Sequence, residues 1–333
     1  MLPSFMRMTA GKDGGVVFLT ARQGRTTLTG LRSLDQRGVI GVIDFPRLVI
    51  HTSFCASAVI ICDIERMSPS YEARIAAVVR NWTAKEQAPI ILNAPPKLLR
   101  RYELLKKLYF LGVNRKDVHR LDDPYTIEKT AFPCFIRIEA GHHLTPDKPK
   151  LLHSRDELAA ELVRLREIGE PVYGKILVEY EDTRDDTGLH CKMSYHKIAD
   201  TIIPAHMFWD HHWFVKYPPR DLLSSRPELA TRERQFIETS PHEAEIAGLF
   251  EIAGIEYGRI DYGLRADGGI HVFEVNTNPN HPHSAGIDPE RKDYINPIQR
   301  RILAAVEGLA ARGSRNRLQW PRDELIYRLK CQL

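Results

Sequence analysis

The run FEVNTNPNHPH, residues 273–283, sets Glu274 and Asn276 on alternate positions at the end of an apolar stretch. If that stretch is a strand, the two side chains share a face, where a carboxylate and a carboxamide could offer oxygens to one hard cation. Asp261 stands on an earlier apolar segment of GRIDYGLRADGGIHVFEVN, and ADGG reads as the turn that folds one strand back beside the other. Three oxygen donors would then converge at one end of a hairpin. Arg259, two residues before Asp261, falls on the same face. The bland alternative is an ordinary hairpin with solvated acidic ends.

The ordered set Arg259-Ile260-Asp261, a hairpin, Glu274-x-Asn276 and then Pro279 resembles the magnesium site of the ATP-grasp superfamily. Rossmann-type dinucleotide binding is the weaker competitor, because no GxGxxG follows a predicted strand. The resemblance implies an α/β chain with the ATP-grasp fold. Residues 1–95 would form an N-terminal open α/β preATP domain, and 96–315 the ATP-grasp domain, with a small α/β lid at about 130–180 and a C-terminal α+β core. Residues 316–333 would be a C-terminal helical extension. ATP and Mg2+ are the implied cofactors, Asp261, Glu274 and Asn276 the metal ligands, and Arg259 the catalytic cation that steadies an acyl phosphate. The implied activity is that of a carboxylate–amine ligase (EC 6.3-like), joining an activated carboxylate to an amine, with an amino acid or peptide as substrate. A small-molecule kinase and a nucleotide-binding regulator stay open as alternatives.

An ATP cradle must come from the rest of the chain. AFPCFIRIE, residues 131–139, reads as a proline-entered strand carrying Arg137, followed by the polar loop GHHLTPDKPK. The family often has lysine where Arg137 stands and more glycine in the loop, which here offers Gly141, His142 and His143. Ser154 with Glu157 three residues later is a capping box that starts a helix over SRDELAAELVRLREIG. PVYGKILVEYED, residues 171–182, is the next strand, and the resemblance makes its end the hinge that reads adenine. Lys175, Glu179 and Tyr180 are the nucleotide-contact candidates there, with Asp182 beside them, and the shared parity of Lys175 and Glu179 suggests a cleft-directed face.

HCKMSYHKIADTIIPAHMFWDHHWFVKY, residues 190–217, reads as two strands and an aromatic, histidine-rich connection. Lys192 alternates with the apolar Cys191 and Met193 and so takes the opposite face, as a further phosphate-facing base. His206, Asp210, His211 and His212 invite a zinc reading, but the spacing matches no structural zinc arrangement and no metal is assigned. Trp209, Trp213 and Lys216 could line a substrate channel or simply pack. His281 and His283 could contact substrate, support the metal ligands or sit in solvent.

Nearer the N-terminus, GVVFLT, GVIGVID, RLVIHTSFCASAVIICDI and APIILNAP are strand candidates, and SYEARIAAVVRNWTAK is an amphipathic helix. Strands alternating with a helix imply a small open α/β domain. Asn93 marks the exit from its last strand, either as a turn residue or as part of the nucleotide approach. KLLRRYELLKK, residues 97–107, is helical in pattern, with Arg101 as the nucleotide-facing base and Lys97 as the alternative.

The chain has 333 residues, a net charge of +4 and 27% charged residues. Its basic groups are interleaved with acids and lack the aromatic spacing of a nucleic-acid groove, so no nucleic-acid partner is expected. No apolar run approaches a bilayer span, so no membrane partner is expected either. Five widely spaced cysteines, Cys55, Cys62, Cys134, Cys191 and Cys331, suit a reducing cytoplasm. The expected partners are small-molecule carboxylate and amine substrates. WPRDELIYRLKCQL, residues 320–333, reads as a terminal helix, a packed brace or a subunit contact, which leaves a homodimer open.

Overall fold

Short runs rich in valine and isoleucine become strands β1 (Val16–Thr20), β2 (Ile40–Asp44), β4 (Ala58–Ile61) and β5 (Ile90–Leu92), and the run SFCA becomes β3 (Ser53–Ala56). The computed structural model describes residues 15–21, 26–45, 53–141, 149–281 and 289–319. Four of these strands form a parallel sheet in the order β2-β1-β4-β5. β1 and β4 are buried at every position, as central parallel strands covered on both faces must be. The helix Pro69–Thr83 opens at Ser68, whose hydroxyl accepts from the Tyr71 amide, with Pro69 in the first turn, where its missing N–H costs little. Ile75, Val78, Val79 and Trp82 form its buried stripe, each contributing roughly 1.5–3 kcal/mol for Val- or Ile-sized burial. The candidate strand at 47–64 is divided among its described residues: Ser57 separates β3 from β4, and β3 leaves the parallel sheet.

A second sheet contains β6 (Val118–Arg120), β7 (Cys134–Ile138) and β8 (Lys175–Glu179), antiparallel in the order β6-β8-β7. Its two faces are sorted by the period of two. Cys134, Ile136 and Leu177 pack with Leu158 and Leu162 of the helix Arg155–Glu167. Phe135, Ile176 and Val178 pack the other way, with Tyr102 and Leu105 of the helix Arg101–Phe110 and with Trp213. Ser154 caps the first of these helices as its sequence predicts, accepting from the Glu157 amide at 3.2 Å.

The third sheet comprises β9 (His190–Ile198), β10 (Thr201–Asp210), β11 (Tyr257–Leu264) and β12 (Ile270–Asn276), antiparallel in the order β10-β9-β11-β12. The ADGG turn joins β11 to β12 as expected, with Gly268 in the left-handed region at φ +81°. Met193, Tyr195, Trp209, Ile260, Tyr262 and Val272 share one buried core with the helices Pro227–Thr239 and Glu243–Ala253. The opposite face of this sheet carries the polar residues.

The helix Lys292–Arg312 runs beside β9, β10 and β1, so it joins the first and third sheets. Residues expected to open a helical extension instead form β13 (Asn316–Gln319), which pairs antiparallel with β3 and buries Leu318 completely. The edge of β3 supplies backbone partners that a lone terminal helix would not use. Residues 320–333, with Cys331, lie outside the described residues.

Candidate functional site

Strand register builds the site. Asp261 stands directly across from Glu274, and Arg259 from Asn276, so the four side chains face one side of the β11–β12 hairpin. A register shift between Asp261 and Tyr262 brings this polar block onto one face, while Tyr262, opposite Val272, faces the core. On the far side of β11, β9 sets Ser194 opposite Asp261 and His196 opposite Arg259.

Cations from three other elements converge on these carboxylates. Arg101, on the helix below the second sheet, donates from Nη2 to Glu274 Oε2 at 2.7 Å, and Arg137 of β7 donates to the same oxygen at 2.7 Å. Arg259 grips Asp261 through Nε to Oδ1 at 2.7 Å and Nη2 to Oδ2 at 3.1 Å. Lys192 Nζ lies 3.5 Å from Asp261 Oδ2. Burial pulls Arg137 down to about 10, reinforced by the like charge of Arg101, so it stays protonated at neutral pH. Lys192 is lowered by burial against the pull of Asp261, whereas for Arg259 the Asp261 carboxylate outweighs burial and raises it. Four cations against two carboxylates leave a surplus of positive charge suited to a polyanion.

Arg101 has a second task. Its Nη1 donates to the carbonyls of Ile138, Glu139 and Gly141 at 2.8, 3.0 and 3.1 Å, which fixes the root of the polar loop. His142 and His143 on that loop lie outside the described residues. Lys97 takes no part in this cluster; its carbonyl instead fills the space where a Cβ on Gly254 would stand, 2.2 Å away. Asn276 is buried, and its Oδ1 accepts from the Asn278 amide at 2.8 Å, leaving a lone pair on that oxygen.

Two expectations on β8 are corrected. Lys175 and Glu179 do share a face, but it is the face of Cys134 and Ile138, their partners on β7, opposite to that of Arg137. Lys175 Nζ reaches Glu170 at 2.9 Å, and Glu179 accepts from the amides of Asp117 and Ala131 at 3.0 and 2.8 Å. Although burial opposes it, His119 and those amides hold the Glu179 carboxyl below its ordinary value. Both side chains thus support the sheet from behind. Tyr180 lies nearer the cleft, its ring 5.7 Å from Trp213, which itself packs against Phe135 at 4.7 Å. Asp182 is engaged by Arg184.

The histidines divide similarly. His206 bonds Ser194, His212 accepts from the Phe214 amide, and Trp209 donates to Asp185 from within the core. Among the described residues no group of three or more His, Cys, Asp or Glu side chains could hold a metal. His281 is buried, stacked on His196 at 5.2 Å and bonded through Nε2 to the Tyr257 hydroxyl at 3.1 Å. Its backbone bonds Thr27 and Gly30, tying the loop after β12 to the first sheet. His283 lies outside the described residues.

The donor set at the hairpin fits a hard cation. Asp261 and Glu274, neighbours across the strand pair, could share one Mg2+ with Asn276 once their guanidinium partners turn to an incoming anion.

Sequence reasoning had no means of finding Ser194 or the junction at Thr277 and Asn278. Thr277 Oγ1 donates to Glu65, and Asn278 Nδ2 donates to Asp63 at 2.9 Å, so the residues just past Asn276 lock onto the end of β4. Only the signal of polar residues in a loop marks them beforehand.

No protein-family model matches the chain, and no curated protein matches it. Among solved structures it is similar to the ATP-grasp ligase PsnB complexed with a phosphomimetic variant of minimal precursor, Mg and ADP, at 14% identity and TM-score 0.49, with 90% of this chain and 98% of that one covered. It is similar to a RimK domain protein ATP-grasp from Sphaerobacter thermophilus DSM 20745 at 12% identity and TM-score 0.47, covering 90% and 99%. An L-amino acid ligase from Bacillus licheniformis is a third, at 12% identity and TM-score 0.41, covering 88% and 74%.

Proposed function

We propose that the chain is an ATP-grasp carboxylate–amine ligase and that its cleft binds Mg–ATP. The observation that supports this best is the double grip on Glu274: Arg101 from a helix and Arg137 from the second sheet meet on one oxygen of a carboxylate that faces Asp261 across a hairpin. Without nucleotide, the carboxylates satisfy the cations. A triphosphate would take over Arg101, Arg137 and Lys192, and the freed Asp261 and Glu274 oxygens, with Asn276, would hold Mg2+. Mg2+ held there would supply positive charge to offset the negative charge moving to the leaving group.

In the ligase reaction the substrate carboxylate attacks the γ-phosphorus, the bond to the β-phosphate oxygen breaks, and ADP leaves. The amine then attacks the acyl carbon of the mixed anhydride, loses its proton and expels phosphate. Arg259 stands on the Asp261 face, where its guanidinium stabilises the anionic oxygens of both steps electrostatically. Lys175 and Glu179 enter only as supports of the second sheet. An amino acid or peptide carboxylate is the proposed substrate.

Calorimetry of ATP with and without Mg2+, on the wild type and on Glu274→Gln, tests the site. Magnesium-dependent binding in the wild type and its loss in the variant are expected. A folded wild type that binds no ATP sinks the assignment. Stoichiometric phosphate release that needs both a carboxylate and an amine marks the ligase, whereas a stable phosphorylated product marks a kinase.

A further inference from the structure

His206, Ser194, Asp261 and Glu274 stand in one row across all four strands of the third sheet, each opposite the next. We infer that Ser194 and His206 are positioning residues that hold the Asp261 carboxylate in its metal-binding orientation, an inference that rests on the Mg–ATP reading of the site. Ser194 Oγ lies 2.9 Å from Asp261 Oδ1 and 2.9 Å from His206 Nε2, and Ser194 is fully buried.

The direction of both bonds follows from the chemistry of the groups. A carboxylate only accepts, so the single hydroxyl proton of Ser194 goes to Asp261. Ser194 Oγ must then accept from His206, which therefore carries a proton on Nε2. The relay runs His206 N–H to Ser194 O–H to Asp261 Oδ1.

The fold takes trouble to place the donor. A β-bulge adds Ala205 to β10, so that His206 instead of Ala205 stands opposite Ser194. The imidazole is stacked on Phe208 at 3.9 Å and 19°, and Phe208 is covered by Arg291, whose guanidinium is locked on the buried Glu233. Of the pair's two hydrogen bonds, one reaches a carboxylate oxygen and the other orients the hydroxyl that makes it.

Among the described residues the other donor to Asp261 Oδ1 is Arg259 Nε at 2.7 Å. When Arg259 turns to the substrate anion, Ser194 is the bond that remains. It would keep Oδ1 fixed and leave Oδ2, which Arg259 Nη2 now holds, available to a cation. Supporting hydrogen bonds of this type are worth roughly ten- to a hundredfold in metal affinity.

The test is the apparent Mg2+ dissociation constant at saturating ATP, read by calorimetry and by Mn2+ electron paramagnetic resonance, together with metal-free ATP affinity and thermal midpoint. Ser194→Ala is expected to weaken the metal about tenfold or more while metal-free ATP binding is unchanged. Ser194→Thr, which keeps the hydroxyl, and His206→Gln, which keeps an N–H donor, should stay close to the wild type. Ser194→Ala combined with His206→Phe should weaken the metal no more than Ser194→Ala alone, because the relay acts as a unit. Unchanged metal affinity in Ser194→Ala, or an equal loss of metal-free ATP binding, overturns the inference while leaving the nucleotide site intact. A wild type that binds no Mg–ATP overturns both.

Discussion

At the scale of single residues, the site is a set of charges that satisfy one another. Arg137 is the clearest case, because it belongs to the second sheet yet bonds a carboxylate of the third. Removing it leaves Glu274 still paired with Arg101, so folding should be little affected. Its loss should be felt by the phosphates. Arg137→Gln is expected to weaken Mg–ATP by ten- to a hundredfold, the equivalent of one charge-assisted hydrogen bond at about 1.5–3 kcal/mol, with a thermal midpoint close to the wild type. Calorimetric titration beside a melting curve separates the two effects, and a large drop in midpoint with unchanged affinity would assign Arg137 to structure.

At the scale of elements, one side chain ties the end of the first sheet to the start of β11. Asn93, just past β5, is fully buried at φ +61°. Its Nδ2 donates to the carbonyls of Ile61 and Tyr257, and its Oδ1 accepts from the amides of Glu256 and Tyr257. It therefore bridges β4 to the start of β11, two residues from Arg259. Asn93→Gly keeps the left-handed backbone and loses four side-chain bonds, which at roughly 1 kcal/mol each predicts a loss near 3–4 kcal/mol. Asn93→Ala should cost about 1 kcal/mol more, since it keeps at that left-handed backbone the Cβ that glycine lacks. Equal stability of the two variants by urea unfolding would remove the backbone part of this account.

For the whole molecule, buried neutral imidazoles make stability depend on pH. His271 and His281 are each pushed down to about 3, with burial the leading cause, and His196 and His206 are also held well below the ordinary imidazole value by burial first. In the unfolded chain these groups take up protons near pH 6.5. Folded values below the unfolded one mean that their contribution is complete above about pH 6.5 and is lost as pH falls toward the folded values. Stability is expected to decline between pH 6.5 and 5 by up to roughly 1.4 kcal/mol per pH unit for each such imidazole. His271→Phe isolates one of them, since its Nδ1 has no hydrogen-bond partner among the described residues. Its unfolding curves should show a pH slope smaller by one proton, and an unchanged slope would place the titration elsewhere.

The hairpin, its turn, and the sharing of a strand face by Arg259 with Asp261 and by Glu274 with Asn276 follow from sequence alone, because alternation and turn chemistry act over a few neighbouring residues; that the two pairs meet on one face of the hairpin is decided by the register shift between Asp261 and Tyr262. The helix starting at Ser154 was legible for the same reason, through a cap three residues from its partner. Parity also showed that Lys175 and Glu179 point the same way, but which face of the second sheet meets the cleft was settled by burial against the helix Arg155–Glu167. β13 escaped sequence reading because Asn316–Gln319 is a strand only by virtue of the edge that β3 presents. No local pattern links Ser194 to Asp261, or Arg101 and Arg137 to Glu274, since those pairs depend on inter-strand register and on one sheet lying over another. Short-range geometry thus marked the candidate ligands and their alternation along each strand, and the tertiary structure decided that they share one face and which charges meet them, because register and electrostatic partners are chosen in space and not along the chain.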